Sequence, residues 1–239
     1  MFVPEKAMVL AAGYGKRMRP LSATTPKPLI EVSGKALIDH CLDGLADAGI
    51  KTAIVNVHYL ADLMEAHLVR RTAPEIVFSD EREKLLDTGG GITKALPMIG
   101  DKPFVLRNSD SFWLEGVRPN LKWLFDAWDD DRMDGLLLLA ATVATAGYSG
   151  PGDFLLASDG RLTRRRERTV APFVYAGAAV LHPRLFENPP EDAFSLNDLF
   201  DRALEAERLY GVRLDGLWIN VETPAAIGMA ERAIAESAA

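Results

Sequence analysis

The sequence predicts an α/β fold with a mostly parallel central sheet and helices on both faces, and three observations carry that prediction. Short apolar runs alternate with amphipathic helical stretches through the first third of the chain, in the order β-α-β-α-β. Such alternation favours parallel strands joined by crossover helices. The longest apolar stretch, residues 136–146, shows no polar alternation, the pattern of a strand buried on both faces. At 239 residues the chain can close one large core but is too short for a second full domain, so residues 1–239 are expected to form one domain.

The first strand, residues 6–12, runs into the loop GYGKRMRPLSATTPKPL. Gly13 and Gly15 let the backbone turn tightly and approach a ligand with no Cβ in the way. Lys16, Arg17 and Arg19 follow at once. Arginine presents a planar fork of donors to phosphate oxygens and lysine a compact charge, so the loop reads as a polyphosphate cradle. Pro20, Pro26 and Pro28 stiffen it. Lys27, between two prolines, has few backbone conformations to sample, as a cation held against a reacting phosphoryl group requires. Neither common phosphate loop fits: GxGxxG needs a glycine where Met18 stands, and the P-loop needs Ser or Thr where Arg17 follows Lys16.

Residues 35–48 predict a helix with Leu37, Ile38, Cys41, Leu42 and Leu45 on one face and Gly49 as its stop. A strand at 51–57, a helix at 60–70 and a strand at 75–79 follow. An acidic loop, 80–84, then leads to Thr88-Gly89-Gly90-Gly91 at the mouth of a helix reaching residue 99. Three glycines there offer bare backbone and free N–H groups to a ring or phosphate, although a flexible helix entry explains them equally well from the residues alone. The strand 103–107 ends in Asn108-Ser109-Asp110. A carboxylate at the carboxyl end of a parallel strand stands at the crevice where open α/β sheets bind ligands.

Residues 126–131 are acidic and read as a solvated helix end. After the buried strand at 135–146, a hairpin is expected at 154–157 and 161–165 around Ser158-Asp159-Gly160. The arginines of 164–168 suit a solvated edge strand, where charge blocks unwanted pairing. A strand at 172–181 precedes a helix at 195–208, whose Ser195 and Asp198 are spaced like a capping box. Thr223 and Pro224 suit the N-cap and first turn of a closing helix.

A formal charge of −7 excludes nucleic acid and an anionic membrane as the main partner, so the bases near Gly13 act as a local patch for a small anion. The single cysteine, Cys41, rules out an internal disulfide and lies on an apolar helix face, where a buried thiol is expected. The first apolar run is short and its bases follow it, the reverse of a signal peptide. No apolar stretch approaches the roughly 20 residues of a bilayer span. A cytoplasmic protein is therefore expected.

The string from Leu10 to Leu21, LAAGYGKRMRPL, followed by Lys27-Pro28, resembles the L-A-A/G-G-x-G-x-R-M/L-x-P-L/T…K-P signature of sugar-1-phosphate nucleotidyltransferases, with a shorter spacer. The resemblance implies a Rossmann-like three-layer sandwich, the nucleotide-diphospho-sugar transferase fold. It implies a nucleoside triphosphate and a sugar 1-phosphate as partners, and a monomer or homodimer that uses Mg²⁺. Arg17 and Lys27 would be catalytic, and Leu10, Ala11, Ala12, Gly13, Gly15 and Lys16 would bind nucleotide. The segment LLDTGGGITKALP resembles the family's second nucleotide contact, which adds Thr88 and Gly89. An upstream side chain reads the base edge there, either Glu81 or Glu83, and the spacing does not decide between them.

Asn108-Ser109-Asp110 resembles the family's L-x-N-G-D-x, in which the aspartate binds magnesium, with Ser109 replacing glycine. Asn108, Glu167, Ala176 and Gly177 fall where sugar contacts are expected. Residues 216–224 resemble W-x-D-V/I-G-T-P, which supplies the second magnesium carboxylate. Here Asn220 stands in place of the aspartate and Glu222 in place of the glycine. Asparagine offers an oxygen without charge, so this site should hold metal more weakly unless Glu222 swings in.

The resemblance runs from residue 6 to about residue 230. The segments at 56–62, 88–97 and 182–186 look most like enzymes that uridylylate N-acetylmuramate 1-phosphate in cell-wall recycling. Guanylylation of mannose 1-phosphate is the alternative within the family. A catalytically weakened nucleotide-sugar-binding protein is the alternative of another class.

Overall fold

The computed structural model describes residues 2–237. The first half runs β1 (Lys6–Leu10), a long loop, a small hairpin of β2 (Glu31–Val32) and β3 (Lys35–Ala36), then α1 (Leu37–Asp47), β4 (Thr52–Val57), α2 (Ala61–Leu68), β5 (Glu75–Asp80), α3 (Asp87–Ile99) and β6 (Phe104–Asn108). The second half contributes β7 (Ser111–Glu115), α4 (Asn120–Asp126), β8 (Gly135–Ala141), β9 (Thr145–Ala146), β10 (Phe154–Leu156), β11 (Leu162–Arg164) and β12 (Phe173–Leu181). It closes with α5 (Leu196–Glu205), β13 (Leu209–Arg213), β14 (Gly216–Asn220) and α6 (Pro224–Ser237).

β1 lies at the centre, parallel to β4 and β6, and β5 extends the parallel block beside β4. β12 enters antiparallel to both β6 and β8, and β13 then pairs in parallel with β8. Alternate residues of β1 face opposite sides. Ala7 and Val9 pack with α1, α2 and α4, while Met8 packs with α3 and α5, giving three layers. A second sheet, β7-β14-β9, carries a smaller core that joins Phe112, Ile219 and Val221 to Ala230 of α6 and Met18 of the loop after β1. Among the described residues no helix is long and apolar enough to cross a membrane.

Several local expectations shift. The helix expected from residue 35 starts at Leu37, because Lys35 and Ala36 pair with β2. The single strand expected at 135–146 divides: β8 stays in the main sheet, and β9 crosses to pair with β14. The hairpin around Asp159 forms as expected, with Phe154 opposite Arg164. Ser195 caps α5 through the N–H of Asn197 rather than that of Asp198, so the capping-box geometry is not made, and the helix ends at Glu205. Cys41 is buried, as expected, and burial pushes its thiol up.

Candidate active site

The loop after β1 is held from three directions. Gly15 adopts a left-handed conformation, with φ at 59°, and an added Cβ would lie 2.8 Å from Lys27 Cβ. Glycine there serves both the turn and the close seating of Lys27. Ser22 Oγ donates to the Gly15 carbonyl at 2.8 Å, and Tyr59 Oη donates to the carbonyl of Ser22 at 3.0 Å. At the loop's entry the Ala11 N–H donates to Asn56 Oδ1 at 2.7 Å, and Ser109 Oγ donates to the Leu10 carbonyl at 2.6 Å. Gly13 stands clear, since an added Cβ would meet nothing within 4 Å. Its bare backbone faces the cleft.

Two cations of this loop meet acids from other elements. Lys27 Nζ lies 2.7 Å from Asp110 Oδ2, just past the end of β6, and the two side chains are only 12% and 30% exposed. Arg17 makes a two-pronged pair with Glu222, beyond β14, in which one bond from Nη2 to Oε1 measures 2.9 Å. The Val221 N–H donates to the Asp110 carbonyl at 3.1 Å, which ties the two acidic segments together.

The cleft itself, about 570 Å³, is lined by the run from Leu10 to Arg17, by Lys27, and by Asn56, Thr88, Asn108, Asp110 and Glu222. A second lobe of about 260 Å³ shares Asn108, Asp110 and Glu222 with it and adds Asp153, Arg164, Tyr175, Trp218 and Asn220. Burial pushes the phenols of Tyr175 and Tyr148 upward, so both stay protonated hydrogen-bonding groups near neutral pH. The two lobes meet at Asp110.

Most of the nucleotide-binding residues expected from the sequence converge here, and some do not. Neither acid upstream of α3 lines the cleft. Glu83 is exposed, whereas Glu81 is wholly buried behind the wall, accepting from Asn56 Nδ2 at 2.7 Å and from the Leu86 N–H at 3.1 Å. Gly89 is also off the cleft. The N–H groups of Gly89 and Gly90 are spent on the Phe194 carbonyl, and α3 begins before the glycines, at Asp87. The glycines are packing positions: a Cβ at Gly89 would sit 2.3 Å from the Phe194 ring, and one at Gly91 would sit 2.7 Å from Glu81 Oε1. Thr88 does line the cleft, while its Oγ1 accepts from the Leu196 N–H.

On the sugar side, Glu167 is exposed and lines neither lobe. Ala176 and Gly177 lie behind the second lobe rather than in it. The Ala176 carbonyl holds Trp218 Nε1 at 3.0 Å, and Gly177 abuts Asn108, with an added Cβ placed 3.0 Å from Asn108 Cβ. Asn220 is buried in the second lobe, in register with Ser111.

Sequence reasoning missed Asn56 as a wall of the cleft, although it heads the NVHYLAD segment. It also missed Tyr14, whose hydroxyl lies 3.0 Å from His58 Nε2 while His58 Nδ1 lies 2.7 Å from the Glu81 carbonyl. The carbonyl can only accept, so Nδ1 donates to it, and in the neutral imidazole Nε2 accepts from the phenol.

A cation-rich glycine loop at the carboxyl end of a parallel strand, with a carboxylate just past the end of the neighbouring strand, has the arrangement of a phosphate-binding crevice. The chain belongs to the nucleotidyl transferase family, whose match covers residues 6–142. Over 98% of both chains it is 46% identical to an N-acetylmuramate alpha-1-phosphate uridylyltransferase of Caulobacter vibrioides. An enzyme of the same name from Neisseria meningitidis is 32% identical over 91% of this chain and 93% of its own. In fold the chain resembles an inositol-1-phosphate CTP transferase of T. maritima, with a TM-score of 0.77 and 18% identity over 97% of this chain and 96% of that one. It is thus a sugar-1-phosphate nucleotidyltransferase.

Proposed function

We propose that the chain transfers a uridylyl group from UTP to N-acetylmuramate 1-phosphate, releasing pyrophosphate, as one cytoplasmic domain in the recycling of cell-wall sugar. The observation that carries this reading is the contact of Lys27 with Asp110 at 2.7 Å where the two lobes meet, because that is where the two reacting phosphates must come together. The 46% identity to the Caulobacter enzyme supports the sugar and the base.

In the reaction, an oxygen of the sugar phosphate bonds to the α-phosphorus of UTP. The bond from that phosphorus to the bridging oxygen breaks, and its electron pair leaves on pyrophosphate. The attacking phosphate is already ionised at neutral pH, so no general base is needed. Rate comes from alignment and from neutralising charge. Arg17 holds the triphosphate and Lys27 spans the two reacting phosphates. Ala11, Ala12 and Gly13 present backbone to the nucleotide, Ala11 being fixed by Asn56.

The donor set beside Lys27 fits a hard cation: the Asp110 carboxylate, the Asn220 side-chain carbonyl and the Glu222 carboxylate all line the second lobe. Mg²⁺ bound there supplies charge to the triphosphate. Every residue named comes from one chain, so a monomer or a homodimer serves equally.

Replacing Lys27 by Ala tests the reading. Pyrophosphate release with UTP and N-acetylmuramate 1-phosphate should fall by about 10²-fold or more, the scale of losing one preorganised charge at a reacting centre. Near-normal turnover would refute the role. Running the wild type against UTP, CTP, GTP and dTTP, with N-acetylmuramate, N-acetylglucosamine and mannose 1-phosphates, fixes base and sugar. Turnover with GTP and mannose 1-phosphate alone would replace this reading with the guanylyl one.

A further inference from the structure

The second lobe holds a feature that the transfer reaction does not require. N-acetylmuramate differs from the neutral N-acetylhexosamines by a lactyl ether that ends in a carboxylate. Of the acids in its walls, Asp110 and Glu222 are paired with Lys27 and Arg17 while Asp153 is in no ion pair among the described residues, so a sugar carboxylate is favoured in the lobe only where it meets a further cation. Among the described residues Arg164 is the only cation lining this lobe.

Arg164 is already held in place. Nε and Nη2 both reach Asp201 Oδ1, at 2.6 and 2.5 Å, Nη1 and Nη2 donate to Asn197 Oδ1 at 3.3 Å, and the guanidinium lies over the Phe154 ring, 5.0 Å from its centroid. Guanidinium carries five N–H donors, so one N–H of Nη1 is left for a ligand. Asp201 and Asn197 lie on α5 and Phe154 on β10, so the fork is fixed before any sugar arrives, which lowers the entropy cost of binding.

A second observation points into the same lobe. Tyr175 lines it, and its hydroxyl is buried with no hydrogen-bond partner among the described residues. A buried hydroxyl without a partner is unfavourable and calls for one from a ligand or water. We propose that Arg164, with Tyr175 beside it, selects a carboxylate-bearing sugar 1-phosphate over its neutral counterparts. This rests on the reading of the site given above.

The rival role for Arg164 is a staple between the β10–β11 hairpin and α5, and it predicts loss of stability without loss of selectivity. The test is the ratio of kcat/KM for N-acetylmuramate 1-phosphate to that for N-acetylglucosamine 1-phosphate, both with UTP. In Arg164→Gln this ratio should fall at least about tenfold, the scale of one charge-assisted hydrogen bond, mostly through KM for the acidic sugar. Arg164→Lys keeps the charge without the fork and should fall between, which keeps the test alive if the glutamine variant does not fold. Asp201→Asn loosens the staple and the fork it fixes but keeps the guanidinium, so it should lower the melting temperature and lower the ratio by less than Arg164→Gln does.

An unchanged ratio in both Arg164 variants overturns the inference, as does a ratio that falls equally in Asp201→Asn. Wild-type enzyme that turns over neutral sugar phosphates as readily as the acidic one also overturns it, with nucleotidyl transfer left standing. Absence of pyrophosphate with every sugar phosphate would instead overturn the reading beneath it.

Discussion

Removing the charge of Glu222 should tighten the binding of UTP in the absence of metal. The guanidinium of Arg17 donates two hydrogen bonds to Glu222. The pair occupies the two-pronged edge of Arg17 and offsets its charge, so a triphosphate competes with Glu222 for that edge, and part of the nucleotide's binding energy is spent on weakening the pair. The side chains are 66% and 31% exposed, which places the pair among solvated ones. Such pairs contribute about 0.2–1 kcal/mol, and the two-pronged geometry favours the upper end. At 1.4 kcal/mol per tenfold, Glu222→Gln should lower the Kd for UTP by about 2- to 5-fold. Lost repulsion between Glu222 and the phosphates adds in the same direction. Isothermal titration in EDTA, at low salt and at about 0.5 M salt, reads the effect, and the gain should shrink as salt screens exposed charge. An unchanged or weaker Kd at low salt would show that Arg17 does not bind the triphosphate from this position.

Further outcomes follow from the same geometry. Asn56→Ala frees the Ala11 N–H and strips Glu81 of one donor, so stability should drop by about 1–3 kcal/mol by urea unfolding and KM should rise more for UTP than for the sugar phosphate. Gly89→Ala drives a methyl into the Phe194 ring and should destabilise by about 1–3 kcal/mol in the same measurement. Gly13→Ala meets no atom and should keep its melting temperature while weakening UTP binding by calorimetry. Burial, with Arg184 beside it, holds the His182 imidazole below its ordinary pKa of 6.5. Below about pH 6.5 the unfolded chain therefore takes up a proton that the folded chain refuses, and stability falls as pH drops through that window. His182→Asn keeps an acceptor for the Arg184 N–H and should flatten that slope in melting curves between pH 7.5 and 5.5, while His40, also held low by burial, retains the rest.

The main sheet's parallel block and the phosphate loop were legible because each is written locally. Alternating apolar runs announce strands and helices, and Gly15, Lys27 and the prolines announce a tight basic turn. What stayed hidden depends on contacts distant in sequence. Asn56 lies 45 residues from Ala11, the amide it fixes, and nothing local distinguishes it from any strand-end asparagine. Glu81 was, with Glu83, a candidate base reader by resemblance to the family's second nucleotide contact, yet two donors and the glycine at position 91 give its carboxylate a buried seat. From the residues alone the three glycines fitted a ligand cradle and a flexible helix entry equally well. Their packing against the Phe194 loop, more than a hundred residues on, is a third use of glycine that no periodicity in the sequence reveals.

The departures at Asn220 and Glu222 compensate one another in charge. The family's pattern places one carboxylate at position 220 and none at 222, and this chain reverses the two, so the formal charge of the segment is unchanged. In extended backbone, residues two apart project to the same side. Asn220 closes β14, Glu222 follows just beyond it, and both line the second lobe. The Val221 N–H, bonded to the Asp110 carbonyl, holds this segment against the other acid, so the carboxylate is moved along the wall rather than removed from it. What the shift changes is the resting partner. At position 222 the carboxylate reaches Arg17, so two cations of the loop after β1 are paired with acids from other elements: Lys27 with Asp110 and Arg17 with Glu222. A triphosphate entering the cleft would therefore compete with both carboxylates for cations that are each already paired, which is why the charge at position 222 bears on nucleotide affinity.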